Sequence, residues 1–213
     1  SDVTVGSDGY RFDLSIAGTT DVLRLQLAAE RADARIERLE FADGTVWDDT
    51  MLRSRYFAGA MTNLSDSISG WDVSDDDIDG GLGDDTLFGY GGNDTLRNGE
   101  VMYGGTGNDT YVLPQWSSHI TVYESPEVGV HTDAIVLPAS VAPATFNMVW
   151  ANDDLLLVAG NQVGSLRVAQ FFATPSGGAQ VEEFRFTDST VWTAVDLFAR
   201  RVATTEGNDT TVY

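Results

Sequence analysis

Carboxylate side chains recur at a fixed position in a short glycine-rich repeat between residues 61 and 112. Three clear nine-residue copies read GGLGDDTLF from Gly80, GYGGNDTLR from Gly89 and GGTGNDTYV from Gly104. They share the pattern G-G-x-G-x-D-x-U-x, in which U is a large apolar residue. Each loop thus offers a carboxylate and glycine-rich backbone that can direct carbonyl oxygens inwards. A donor set made only of oxygen suits a hard cation such as Ca²⁺.

Weaker copies of the repeat accompany the clear ones. Two precede them and keep the acidic and apolar positions but almost none of the loop glycines, and a third, between the clear copies, lacks three loop residues. These copies are 61–69 with Asp66, 71–79 with Asp76, and 98–103, where Glu100 takes the acidic position and Met102 the apolar one.

The repeat also predicts the fold that positions these carboxylates. A six-residue loop followed by three residues with one inward apolar side chain makes half a turn of a flattened coil. Two repeats then complete a turn of about 18 residues, and successive turns stack as parallel strands. Leu87, Leu96, Met102 and Tyr111 are expected to fill the thin interior. Loops of alternate repeats lie above one another, which predicts two acidic columns: Asp66, Asp85 and Glu100 on one edge, and Asp76, Asp94 and Asp109 on the other.

Calcium bound between neighbouring loops would neutralise the repulsion within each column. We expect roughly three to five calcium ions, because Ca²⁺ takes about 6–8 oxygen ligands at loosely defined angles. Magnesium fits poorly, since it demands octahedral geometry and releases water reluctantly. The residues expected to contribute backbone carbonyl oxygens are Gly80, Gly81, Leu82, Gly83, Gly89, Tyr90, Gly91, Gly92, Gly104, Gly105, Thr106 and Gly107.

The overall charge supports a multivalent cation as the first partner. Asp and Glu total 33 against 12 basic residues, all of them Arg, which gives a formal net charge of −21. Such a chain repels phosphate backbones, so nucleic acid is not expected as a partner. The sequence has no Cys and no apolar run long enough for a transmembrane segment. His119 and His131 lack the spacing of metal ligands or of a catalytic pair, and no G-x-S-x-G motif occurs, so we expect no enzymatic activity.

A longer repeat appears at an offset of 145 residues. Residues 36–55 read IERLEFADGTVWDDTMLRSR, and residues 181–200 read VEEFRFTDSTVWTAVDLFAR. Trp47 and Trp192, with Phe41 and Phe186, are expected to pack in the core, and the shared Asp43 and Asp188 to hold turns. Strand-like runs dominate elsewhere, while parts of 22–40 and 194–202 could be short helices.

These patterns predict an all-β chain built around a parallel β-roll with β-rich capping segments and one or two short helices. We expect 1–60 to end a preceding module, 61–112 to form the roll and 113–203 to form the second capping segment. Residues 204–213 would begin the next repeat array, since EGNDT there resembles the start of the short repeat.

The nonapeptides closely resemble the haemolysin-type calcium-binding repeats of RTX (repeats-in-toxin) proteins. The segments FADGTVW and FTDSTVW resemble the related segment that often accompanies those repeats. The resemblance implies a right-handed parallel β-roll, type I secretion and folding outside the cell. It therefore implies a secreted or cell-surface protein, with neighbouring modules of the same chain as partners.

Three roles are compatible with such a module. It could be a calcium-dependent structural spacer in a large repetitive protein, or a binding module of an adhesin that contacts cell-surface glycan, another cell or ice. It could also be the calcium-binding tail of a secreted hydrolase or toxin. The tandem 145-residue module favours a long repetitive protein.

Overall fold

The computed structural model describes residues 3–7, 11–26, 38–72, 74–113, 115, 119–125, 131–160, 164–172, 181–197 and 199. The expected start of a new repeat array at 204–213 lies outside the described residues. The strands are β1 (Val3–Ser7), β2 (Arg11–Ile16), β3 (Val22–Gln26), β4 (Arg38–Glu40), β5 (Val46–Asp48), β6 (Ser67–Ser69), β7 (Asp77–Asp79), β8 (Thr86–Gly91), β9 (Thr95–Arg97), β10 (Val101–Thr106), β11 (Thr110–Val112), β12 (His119–Tyr123), β13 (Ala134–Val136), β14 (Phe146–Ala151), β15 (Asp154–Ala159), β16 (Ser165–Val168), β17 (Glu183–Arg185) and β18 (Val191–Thr193). The helix α1 spans Asp49–Ala60, and a 3₁₀ turn spans Pro143–Thr145.

A parallel β-roll occupies the middle of the chain, as the short repeat predicts. Strands β6, β8, β10 and β12 form one parallel sheet, and β7, β9, β11 and β13 form the other. Successive strands alternate between the two sheets, so the chain coils through one sheet and then the other. The shortened copy at 98–103 keeps this register, because Met102 pairs with Leu87. The all-β fold and its parallel roll are therefore confirmed.

The interior of the roll is filled by one large apolar side chain from each of the strands β6 to β11. The four side chains expected there are fully buried, with Ile68 and Ile78 of the weaker copies beside them. Each pairs in register with its equivalent one turn later, as Leu96 does with Tyr111. The weaker copies thus keep the apolar position even where their loops have lost glycine.

Two flanking segments of similar construction border the roll. The first contains the antiparallel sheet β1–β2–β3 and the hairpin β4–β5, and the second contains antiparallel β14–β15–β16 and the hairpin β17–β18. The two hairpins begin and end at positions 145 residues apart, which is the offset of the longer repeat. The second segment extends the roll directly, because β16 adds in parallel to β12 and β17 to β13.

Residues that the two hairpins share at the 145-residue offset pack in the core or close the turns. Trp47 is 2% exposed and Trp192 is 7% exposed, so both pack in the core as expected. Asp43 accepts a hydrogen bond from the Thr45 backbone N–H at 2.9 Å, and Asp188 does the same for Thr190. These bonds close the hairpin turns and lower the pKa of both carboxyl groups. The predicted turn role of the two aspartates is therefore confirmed.

The helix α1 lies in a segment that was expected to be β-rich. It begins at the N-cap Asp48, whose side chain accepts a hydrogen bond from Met51 N at 2.8 Å. Residues 194–197 are helical, in agreement with the expectation for that segment. In the segment 22–40, the described residues form β3 and β4 instead of helix, and 27–37 lie outside the described residues. No helix within the described part of the chain is long and apolar enough to cross a membrane.

Candidate metal sites

One acidic column runs along the edge formed by the loops that precede β6, β8 and β10. Asp85 Oδ1 accepts a hydrogen bond from Asp66 N at 2.8 Å, and Glu100 Oε2 accepts one from Asp85 N at 2.9 Å. Each carboxylate is thus held beneath the backbone of the loop one turn earlier. The structure brings together the three residues that the sequence placed on this edge, including Glu100 of the shortened copy.

The second column follows the other edge and is longer than the repeat predicts. Asp94 Oδ1 accepts from Asp76 N at 2.8 Å, and Asp109 Oδ1 accepts from Asp94 N at 2.8 Å. The same contact continues from Asp109 N to Asp133 Oδ1 and from Asp133 N to Glu182 Oε2, each at 2.7 Å. The last two residues lie beyond the nonapeptides and were not predicted.

A shorter sequence signal could have found these two residues. Each column member directly precedes its strand, and the second residue after it is apolar. Asp133-Ala134-Ile135 and Glu182-Glu183-Phe184 keep this pattern without any loop glycine. Both lie far from the repeat along the chain, and this three-residue pattern is too short to assign them to the column without its regular spacing.

Asp85 and Asp94 each have one carboxylate oxygen that accepts a backbone hydrogen bond and another that is buried without a hydrogen-bond donor among the described residues. Asp85 and Asp94 are each 1% exposed, and the Oδ2 atom of each has no hydrogen-bond donor within the described residues. An ionised carboxylate oxygen that is buried and unpaired is costly, so these atoms are suited to be ligands of a cation. Oxygen-only donors on turns of this kind fit calcium better than a transition metal.

Burial also changes the protonation of these carboxyl groups in the protein without metal. The pKa of Asp94 rises to about 7, chiefly because burial disfavours the charged form and secondarily because Asp109 and Asp76 lie nearby. Burial raises the pKa of Asp85 and of Asp76 as well. Without a bound cation to offset their charge, neighbouring carboxyl groups of a column therefore do not readily ionise together.

Glycine is required where the loops approach these carboxylates. A Cβ atom on Gly89 would lie 2.4 Å from Asp94 Oδ2 and 2.5 Å from the carbonyl oxygen of Gly104. Gly107 has φ +124°, and a Cβ atom there would lie 1.9 Å from the carbonyl oxygen of Gly92. The glycines thus let one loop stack closely on the next. Of the residues expected to supply carbonyl oxygens, 80–83, Gly92 and Gly107 lie in these loops, whereas 89–91 lie in β8 and 104–106 in β10.

Three carboxylates meet where the second column passes out of the nonapeptides. Oxygen atoms of Asp109, Glu124 and Asp133 lie within 4.8 Å of one another and could hold a metal ion. Glu124 also accepts a hydrogen bond from the Tyr111 hydroxyl. Burial, with the charge of Asp133, raises the pKa of Glu124 to about 10. Glu124 was not predicted, because it follows β12 instead of preceding a strand.

The carboxylate of the N-terminal residue in each column accepts hydrogen bonds from neighbouring protein groups. Asp66 Oδ2 accepts from the backbone N–H and the hydroxyl of Thr62, at 2.7 and 2.8 Å. Asp76 Oδ2 accepts from Trp71 N at 2.7 Å, and its Oδ1 lies 3.3 Å from Nη1 of Arg53. The first loops of the columns therefore differ from the interior loops.

The weaker copy that contains Asp76 is one residue longer than its expected bounds of 71–79. Strand pairing places Ser69 opposite Phe88, which puts Gly70 opposite Gly89. A Cβ atom on Gly70 would lie 2.6 Å from Asp76 Oδ2, which matches the role of Gly89 beside Asp94. The repeat therefore begins at Gly70, and the loop carries one inserted residue.

Comparison with known proteins gives one family match. Residues 14–51 and 154–196 each match the haemolysin-type calcium binding protein related domain. These segments lie in the two flanks, the first from β2 to the start of α1 and the second from β15 to the helical residues after β18. No curated protein matches the chain.

Proposed function

We propose that this chain, whose two flanks are haemolysin-type calcium binding protein related segments, is a structural module that folds when its roll binds calcium. The family match supports calcium binding in general. The finer proposal is that calcium lies along the two acidic columns and that the module acts as a calcium-stabilised spacer in a large secreted protein. Folding would take place outside the cell, where millimolar calcium is available.

The observation that carries this proposal is the pair of buried, unpartnered Oδ2 atoms of Asp85 and Asp94. Burying these oxygen atoms without a partner costs desolvation free energy. A bound cation offsets that cost, because the same atoms then become its ligands. The metal site is absent from the unfolded chain, so the binding free energy stabilises the folded roll. Calcium would neutralise the carboxylates and join each loop to the next.

Substituting these carboxylates tests the proposal. Asp85→Asn and Asp94→Asn should each lower the number of calcium ions bound per chain by about one, because an amide oxygen brings no charge. Asp84→Asn is the matched control, since Asp84 adjoins Asp85 but is exposed. Calorimetric titration of the metal-free protein gives the number bound. Equal calcium binding by all three variants and the native chain would contradict the proposed ligands.

A further inference from the structure

Asp76, at the N-terminal end of the second column, is held by an arginine side chain. Nη1 of Arg53 lies 3.3 Å from Asp76 Oδ1 and also donates a hydrogen bond to Ser74 Oγ. The Ser74 hydroxyl lies 3.2 Å from both carboxylate oxygens of Asp76. The side chain of Asp76 is only 2% exposed, so this ion pair is shielded from water.

Arg53 is fixed in this position from several sides. Its Nε donates to Asp49 Oδ2 at 2.8 Å, one helical turn earlier on α1. Its guanidinium carbon lies 4.4 Å from the ring centroid of Trp71, which is itself buried among the aromatic rings of the first flank. Only 13% of the Arg53 side chain is exposed. The positive charge is therefore placed by the packing of α1 against the first loop.

The interior loops of the same column show a different arrangement. In the next loop, Asp94 Oδ1 accepts the backbone N–H of Asp76 where Asp76 Oδ1 faces an arginine, and Asp94 Oδ2 has no donor within the described residues. The arginine is also absent from the corresponding place in the other flank, where the 145-residue offset aligns Arg53 with Phe198. Arg53 is thus specific to the flank that precedes the roll.

We propose that Arg53 is a built-in cation that takes the place of calcium at the first loop of this column. Its guanidinium supplies the charge that a metal supplies to later loops, so the loop of Asp76 is closed without metal. This inference rests on the proposed function, because it assumes that calcium occupies the interior of the column. It assigns Asp76 an arginine-paired capping role in place of the calcium-ligand role expected from the repeat.

The space around Arg53 would admit a metal ion if the guanidinium were removed. A cavity of about 460 Å³ lies between α1 and residues 74–77. Its wall includes Asp75, Asp76 and Asp77, with Asp49 on the helix side. A neutral side chain in place of Arg53 removes the positive charge beside Asp76 and Asp49, and calcium accepts irregular sets of carboxylate ligands.

Calorimetric calcium titration of four single variants and the native full chain tests the inference. Asp76→Asn should bind the same number of calcium ions as the native chain, whereas Asp94→Asn should bind about one fewer. Arg53→Gln should bind about one more than Arg38→Gln. Arg38 is the matched control, because it forms an exposed ion pair with Glu40 away from the columns. Far-ultraviolet circular dichroism in saturating calcium checks that each variant folds.

Two results would overturn the inference while leaving calcium binding itself intact. One is loss of a calcium ion in Asp76→Asn that equals the loss in Asp94→Asn. The other is a folded Arg53→Gln variant with unchanged calcium stoichiometry. If Arg53→Gln does not fold, the number of calcium ions bound by Asp76→Asn, compared with Asp94→Asn, still tests the inference. Absence of calcium binding by the native chain would instead refute the proposed function, and the inference with it.

Discussion

At the scale of single residues, the carboxylates of the two columns share one contact and differ in the second. Each interior Asp accepts a backbone N–H through Oδ1, which fixes its position, and Asp85 and Asp94 leave Oδ2 for another partner. At the N-terminal ends, the Oδ2 partner comes from the protein itself: Thr62 for Asp66 and the backbone N–H of Trp71 for Asp76, while Arg53 pairs with Asp76 Oδ1. The type of partner, more than the acidic residue, therefore distinguishes a metal position from a capping position.

The raised pKa of Asp94 predicts that low pH stabilises the metal-free fold, because protonation of Asp94 removes a negative charge that calcium would otherwise neutralise. Its pKa of about 7 in the folded chain exceeds the ordinary aspartate value of 3.8, so its protonation stabilises the metal-free fold at low pH. This stabilisation is fully present below about pH 3.8 and is lost as the pH rises through about 7. Metal-free protein should therefore show more β signal by circular dichroism at pH 5 than at pH 8.

The variant Asp94→Asn provides the control for this pH dependence, because its amide does not titrate. It should show a smaller change between pH 5 and pH 8 than the native chain. A metal-free fold that is more stable at pH 8, or a pH response unchanged in Asp94→Asn, would contradict the assignment.

At the scale of elements, the three-residue strands of the roll depend on their single inward side chain. Leu96 is fully buried between Ile78 and Tyr111 on its neighbouring strands. Leu96→Ala should lower the free energy of unfolding in saturating calcium by about 2–5 kcal/mol, since it removes buried methyl groups and leaves a cavity. Leu82→Ala is the matched control, because Leu82 is a loop residue that is 67% exposed. Equal effects of the two substitutions in urea unfolding would contradict the predicted interior.

The strands and columns of the roll could be predicted from sequence because spacing alone determines them. Glu100 was placed correctly because the apolar Met102 two residues later fixes its register with Leu87. Asp133 and Glu182 were missed because long insertions separate them from the repeat, and only tertiary pairing of β13 and β17 returns them to the column.

The helix α1 was missed for a different physical reason. Only Leu52 and Tyr56 of its twelve residues are buried, with Phe57 and Ala60 partly buried, so its apolar stripe is short and gives a weak signal. The usable signal was the N-cap Asp48 with Asp49 in the first turn. The role of Arg53 depends on where this helix packs, and the repeat pattern contains no information about that.

At the scale of the whole molecule, the roll and the second flank share one apolar core, which runs from Ile68 to Leu197. The first flank has its own core, which includes Phe12, Trp47 and Trp71. Since β16 and β17 pair directly with roll strands, ordering of the roll by calcium should also order the second flank. The chain carries a net charge of −21, so bound calcium also reduces repulsion across the molecule.

The most direct test of this account is a calcium titration of the metal-free native chain, followed by far-ultraviolet circular dichroism with magnesium as the control. The account predicts a cooperative gain of β signal as calcium is added, and little response to the same concentration of magnesium. An unchanged spectrum on adding millimolar calcium, or an equal response to both ions, would contradict calcium-driven folding of the roll.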